Sequence, residues 1–353
     1  MAAGFDVDYP RLLLVVVLCC VLVGLFWGLS TSTAAFGPYN YGWDGGSDLR
    51  TGLGSQGTDV DVALSTAAYD DSEPGGTVAV VIDPAERYSE REQARLSLFV
   101  SQGGTLVVAS ATNRTNELLA GLGATPRIDG RQVRDEQRNY RSPALPVAPD
   151  VANHSRVRGV DALTLNRGTV LDPGDATPLV NTSIVSSLDA NANGAADENG
   201  TLGSRPVAAV EAVGNGAVIV LSDGSIFTNA MLDRSGNRQF LRNLAADHDR
   251  ALLDHSHRGP LPPLSYAVLV VRTTPVVQFL LGVAGLSGVA LCYYGLPLAR
   301  MRDRRSERAA AVQVDEATIA ASLSDRHPEW EPQRVQRVTK VIRQQRQQEG
   351  DNE

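Results

Sequence analysis

The sharpest chemical signal in the chain is a loop of oxygen-bearing side chains. Asp189, Asn191, Asn193 and Asp197 stand at positions 1, 3, 5 and 9 of a segment with Gly194 at position 6. This is the opening of an EF-hand-type calcium loop, in which Ala195 gives a carbonyl and the ion gathers about 6–8 oxygens. Position 12 is Gly200 rather than a bidentate glutamate, and Glu198 is the residue placed to substitute. Asx and glycine clusters also make plain turns. The loop therefore reads either as a Ca2+ site or as a turn. Nucleophiles are scarce elsewhere. Cys19, Cys20 and Cys292 all lie in apolar runs, which excludes a disulfide framework, a cysteine zinc site and a thiol nucleophile in any soluble part. The histidines are His154, His248, His255, His257 and His327, and none directly follows an expected core strand.

The elements that must position such groups alternate between strand and helix. Residues 58–65 alternate apolar and polar side chains, as a half-buried strand does. Residues 77–82, TVAVVI, are a short β-branched run that suits a buried strand. Ser89 and Glu92, three apart, form a capping box for a helix that stops at Gly103-Gly104. Thr105–Ala109 is the next strand, and a strand, helix, strand order of this length makes the two strands parallel. Residues 206–213 and 217–222 are joined by Gly214-Asn215-Gly216, a hairpin signal, and residues 237–246 close the unit as an amphipathic helix. The expected class is α/β, with helices on both faces of a sheet. In such sheets ligands bind outside the carboxyl ends of the strands. Asp83, Ser110, Asp223, Ser225 and Asn229 are expected at that edge, either lining a ligand pocket or capping helices and fixing turns.

Two uncharged runs flank this unit. Leu12–Leu29 is 18 residues and Val276–Leu298 is 23, against the ~20 needed for a spanning helix. A cleaved signal peptide competes for the first run, although signal-peptide cores are shorter, about 7–15 residues. Arg300, Arg302, Arg304, Arg305 and Arg308 crowd after the second run, so the positive-inside rule places the C-terminal tail in the cytoplasm. The expected organisation is a short cytoplasmic N-terminus (1–11), a membrane helix (12–29), an external domain (30–274), a second membrane helix (275–299) and a cytoplasmic arginine-rich tail (300–353). Membrane lipid is then an expected partner. Residues 30–270 hold 28 acidic and 19 basic residues, so the chain's negative charge of −8 belongs to the external domain. That balance argues against nucleic acid as a partner and suits high salt. Four Asn-x-Ser/Thr triplets, at Asn113, Asn153, Asn181 and Asn199, fall in the external segment as glycosylation acceptors. A helix from Pro332, with Val335, Val338 and Ile342 at helical spacing, is expected in the tail.

The stretch VVIDPAERYSEREQARLSLFVSQGGTLVVAS, followed by LLAGLGA, resembles the membrane proteins of the domain of unknown function 4350 family. The later stretch RPVAAVEAVGNGAVIVLSDGSIFTNAMLDRSGNRQFLRNL is similar to the end of the same family, and the acidic, arginine-rich chain looks like its haloarchaeal branch. The resemblance implies a flavodoxin-like, class I glutamine amidotransferase-like parallel sheet, here with a β-hairpin and two flanking transmembrane helices. It also implies a cellular neighbourhood of other membrane proteins and MoxR-type AAA ATPases. An amidotransferase of this kind uses a cysteine on a tight strand-to-helix turn. The matching turn here reads Ser110-Ala111-Thr112-Asn113, without cysteine or flanking glycine. A serine nucleophile would need a base within hydrogen-bond reach. The expectation is a non-catalytic binding or scaffold protein of an envelope complex. The alternatives are an external glycan or small-ligand receptor, and an amidase or hydrolase using Ser110.

Overall fold

The computed structural model describes residues 9–194, 201–259, 261–294 and 319–350. The chain divides into two compact units, residues 1–270 and 271–353. The first opens with helix α1 (Tyr9–Ser30) and a short α2 (Ser47–Gly54). Its centre is an eight-stranded sheet built from β1 (Asp59–Ala63), β2 (Thr77–Ile82), β3 (Thr105–Ala109), β4 (Asp150–Val151), β5 (Thr177–Asn181), β6 (Pro206–Val213), β7 (Gly216–Leu221) and β8 (Arg250–Asp254). The spatial order is β1-β8-β2-β3-β7-β6-β5-β4. The first five are parallel neighbours and the last three add antiparallel pairs, so the sheet is mixed. The hairpin at Gly214 makes the change of direction; its φ of 60° is one that glycine adopts at little cost. Strands β5 and β4 continue it on the antiparallel side.

In chain order the five parallel strands lie as first, last, second, third and fourth. The connectivity is rotated, because the last strand of the domain sits between the first two. Successive side chains of each strand face opposite ways. Val78, Val80 and Ile82 of β2 therefore join one core cluster, and Ala79 and Val81 the other. Helices α2 and α6 (Ser235–Ala246) bury Leu49, Leu53, Phe240 and Leu244 in the first cluster. Helices α3 (Glu90–Ser101) and α4 (Asn116–Gly121) bury Leu96, Phe99 and Leu119 in the second. Each such side chain contributes roughly 1.5–3 kcal/mol. The Ser89–Glu92 capping box is formed, with the Ser89 amide donating to Glu92 at 2.8 Å. Between β7 and α6 lies the short α5 (Asn229–Leu232).

After β8 come α7 (Pro263–Thr273) and α8 (Pro275–Tyr294). Among the described residues no single helix is long and apolar enough to cross a membrane. The consecutive segments Pro263–Val271 and Val276–Gly288 meet that test only together. The expected tail helix forms over Pro332–Gly350 with Val335 buried. The arginine cluster from Arg300 to Arg308 lies outside the described residues.

Candidate functional site

Three of the five residues expected at the carboxyl edge meet there. Asp83 directly follows β2 with a φ of +37°, a left-handed conformation that Asp and Asn tolerate better than other side chains. Ser110 directly follows β3, and its hydroxyl donates to Asp83 Oδ1 at 2.6 Å. The same carboxylate oxygen accepts the Ala111 amide at 3.3 Å. Ser110 Oγ in turn accepts from Thr115 Oγ1 at 2.9 Å and from the Thr112 amide at 3.2 Å. Ser110 is 0% exposed, and among the described residues no histidine hydrogen-bonds to it. The hydroxyl is closed to solvent and donates to the Asp83 carboxylate. Asp223 follows β7 by one residue and is buried. Burial pushes its carboxyl up to about 7 and the Asp83 charge adds to the rise. The Asn166 amide at 2.6 Å and the Ser225 amide at 2.7 Å pull the other way.

The other two residues are braces. Ser225 donates to the Asn166 carbonyl at 3.4 Å. Asn229 Oδ1 accepts the Asp48 amide at 2.9 Å, while its Nδ2 donates to the carbonyls of Asn40 at 3.1 Å and Gly42 at 2.6 Å. Asn229 thus fastens the segment after α1 onto the sheet edge.

A second polar cluster, which sequence reasoning missed, lies one strand over. Asp254 ends β8, and its Oδ2 accepts the hydroxyls of Tyr69 at 2.9 Å and Tyr88 at 3.1 Å. Its Oδ1 accepts the amide and hydroxyl of Ser256 at 2.8 and 2.6 Å. Burial, with the Asp254 charge added, raises both phenols above the ordinary range. Ser256 Oγ lies 2.8 Å from His257 Nδ1, and His257 Nε2 lies 3.3 Å from Glu92 Oε2. The Tyr88 ring covers the imidazole with centroids 3.9 Å apart. Burial works against the Glu92 charge, but the Ser89 donors and His257 outweigh it and lower its pKa. Next in sequence, Arg258 donates to the carbonyls of Ile82 and Asp83 at 2.7 Å each and of Ala35 at 3.0 Å, and lies over the Phe36 ring at 4.5 Å. His255 directly follows a core strand after all. The expectation to the contrary failed because β8, RALLD, is only five residues long and carries a charge at each end. Burial lowers the His255 pKa.

Between the turns that follow β2 and β3 lies a cleft of about 210 Å3. Tyr88, Gln93, Thr115 and Leu118 line it, with Arg87, Arg114 and Glu117 also on its wall. Arg87 pairs with Glu117 at 2.8 Å, both exposed. Thr115 connects the cleft to the Ser110–Asp83 network behind it.

The oxygen-rich loop is separate from this edge. Both Asp189 oxygens accept backbone amides, from Asn193 at 3.2 Å and Gly194 at 2.9 Å, and Asn191 Oδ1 accepts the Asn193 amide at 3.0 Å. That is the geometry of an Asx turn. Ala195, Asp197 and Glu198, and the triplet at Asn199, lie outside the described residues. Among the described residues no group of three or more His, Cys, Asp or Glu is placed to hold a metal. Asn113 and Asn153 are exposed, whereas Asn181 sits in β5 with its amide donating to Asp150 at 3.0 Å.

A family model described as domain of unknown function (DUF4350) matches residues 38–245. No curated protein matches the chain. Among solved structures, the mmIFT52 N-terminal domain aligns with 52% of this chain and 94% of its own at 18% identity and a TM-score of 0.39. A cytoplasmic protein from Salmonella typhimurium LT2 aligns with 57% of this chain and 86% of its own at 11% identity and a TM-score of 0.33. An exo-beta-1,4-mannosidase from Opitutaceae bacterium strain TAV5 aligns with 48% of this chain and 25% of its own at 15% identity and a TM-score of 0.25.

Proposed function

Since the chain belongs to the DUF4350 family, described only as a domain of unknown function, we propose a role from its own geometry: a membrane-anchored binding module without catalysis of its own. The observation that carries this reading is the cleft of about 210 Å3 between the turns after β2 and β3. It occupies the position where open α/β sheets hold ligands. Its wall mixes the apolar side chains of Pro84, Ala85 and Leu118 with guanidinium, carboxylate, amide and hydroxyl groups, a composition that orients a small polar ligand. The serine behind it is buried and tied to Asp83, which disfavours the hydrolase alternative.

Anchoring rests on the two uncharged runs and on what their helices expose. Leu13 and Val23 of α1 are 65% and 67% exposed, and Phe279 and Leu286 of α8 are 70% and 74% exposed. Apolar rows of this kind are covered by lipid in a membrane protein. The arginines after residue 299 favour a cytoplasmic tail and an external α/β domain. Counting β8 as the first strand, the parallel strands read 2-1-3-4-5, a flavodoxin-like order that supports the amidotransferase-like reading of the domain. The partner class implied by the family resemblance is an envelope complex with a MoxR-type AAA ATPase.

The test uses the full chain in lipid nanodiscs and ligand-observed magnetic resonance against a panel of small carboxylates, amines and sugars. Arg87→Trp, which fills the cleft mouth, should abolish the signals that the wild type gives. Arg242→Trp, on α6, should leave them intact. Equal signals from both variants would remove the cleft from the proposal.

A further inference from the structure

We propose that the loop of residues 36–46 is a membrane-contact surface, on which Tyr41 and Trp43 lie in the lipid headgroup layer and turn the carboxyl edge of the sheet toward the bilayer. This rests on the membrane-anchored reading above and adds an orientation to it. Trp43 is 73% exposed and Tyr41 59%, among the largest apolar surfaces that the α/β domain leaves open. A single exposed aromatic residue is ordinary. These two are carried by a loop that is held stiffly. The Phe36 amide donates to the Asp44 carbonyl at 2.7 Å, and Gly46 to Gly37 at 2.9 Å. Asn40 donates to Ala34 and Asp44 and accepts from Gly42 at 2.7 Å. From the sheet side, the Ala230 amide donates to the Trp43 carbonyl at 3.0 Å, the Asn229 amide to Gly45 at 2.9 Å, and the Asn229 side chain to Asn40 and Gly42. The backbone that carries the two rings is therefore held on the sheet edge before any contact with lipid.

Chain continuity supplies the occupant. The loop follows directly on α1 and its apolar run. Arg258 ties Ala35, the residue before the loop, to the end of β2 and to the segment that leads from β8 into α7. Both connections toward the apolar helices thus leave from the carboxyl edge. Tyr266 of α7, ahead of the second apolar run, is 52% exposed. Tyr and Trp rings are favoured at the membrane–water interface, where one end is apolar and the other wet. An edge tethered there by both connections faces the headgroups, and the cleft after β2 and β3 opens on the same side.

The test uses the full chain with Trp27→Phe and Trp330→Phe, which leaves Trp43 as the single tryptophan. It is reconstituted in phosphatidylcholine–phosphatidylglycerol vesicles. The expected result is blue-shifted Trp43 emission that loses more intensity to lipids spin-labelled near the headgroup than to lipids labelled at the chain end, with weak quenching by acrylamide. Strong acrylamide quenching with no response to spin-labelled lipid would overturn the inference. So would shielding from both quenchers, which would mean a protein occupant. Alkaline carbonate extraction run in parallel separates the two readings. A chain that stays in the vesicle while Trp43 ignores the lipid quenchers overturns only the orientation. A chain that is extracted overturns the anchoring as well.

Discussion

Ser110 and Asp83, each the first residue beyond its strand, are joined by a hydroxyl-to-carboxylate bond of 2.6 Å that stitches the carboxyl ends of β2 and β3 together. Ser110→Ala removes the acceptor for the buried Thr115 hydroxyl and one donor to Asp83. A buried polar group left unpaired costs about 1–3 kcal/mol, so the variant should lose stability of that order and melt at a lower temperature. Binding of a cleft ligand should persist wherever the variant remains folded. A melting temperature equal to wild type would show that the network carries no stability.

Asp223 gives the fold an alkaline weakness. Its folded pKa of about 7 lies above the unfolded value of 3.8, so the folded state holds the proton more tightly. The stability from this group is complete below about 3.8 and is lost as pH rises through about 7. The full span is on the order of 4 kcal/mol. Asp223→Asn, which does not titrate, should therefore show its largest deficit against wild type at low pH and its smallest above pH ~7. A deficit independent of pH, measured by denaturant titration at several pH values, would contradict the raised pKa.

His248 acts in the opposite sense. Burial lowers its pKa, and its ring bridges the Leu244 carbonyl at 2.7 Å and Thr105 Oγ1 at 2.9 Å. Its folded pKa lies below the unfolded 6.5, so its contribution is complete above that value and is lost as pH falls. Replacing it by Gln should flatten the acid side of the stability profile. An unchanged acid slope would transfer the effect to His255, which burial shifts in the same direction.

Asp254 is the most heavily bonded carboxylate of the cluster, with four donors. Asp254→Ala should cost more than either Tyr69→Phe or Tyr88→Phe, which lose one bond each, at about 1 kcal/mol apiece. Thermal melts of the three variants check the ranking. Equal losses for all three would mean that water replaces the carboxylate.

Strands β2, β3, β6 and β7 were legible because each is a β-branched or alanine-rich run bounded by Gly, Asp or Pro. Asp83 and Ser110 lie directly beyond such a run and Asp223 one residue further, so they inherited that legibility. Strand β8 and helix α2 were not. RALLD is too short and too charged to stand out, and SDLRTGLG contains two glycines that oppose a helix. Tertiary packing of Leu49 and Leu53 overrides that local preference. With β8 unread, the cluster of Tyr69, Tyr88, Glu92, Asp254 and His257 could not be assembled, because only that strand's insertion between β1 and β2 brings the five together. The one signal available was the Asp-x-Ser-His run at residues 254–257, an Asx-turn pattern carrying an imidazole.

The rotated strand order also sets a schedule for the growing chain. Strand β8 occupies an interior place in the sheet, between β1 and β2, yet ends at Asp254. A nascent polypeptide that has already emitted β1 to β7 still has a gap at that place, with β1 unable to join β2 across it. The missing piece leaves the ribosome just before the second apolar segment. Closure of the domain is thereby postponed until nearly all of its sequence has been made. Until then the unpaired flanks of β1 and β2 are the surfaces most exposed to wrong pairing, and a holding chaperone would act on them.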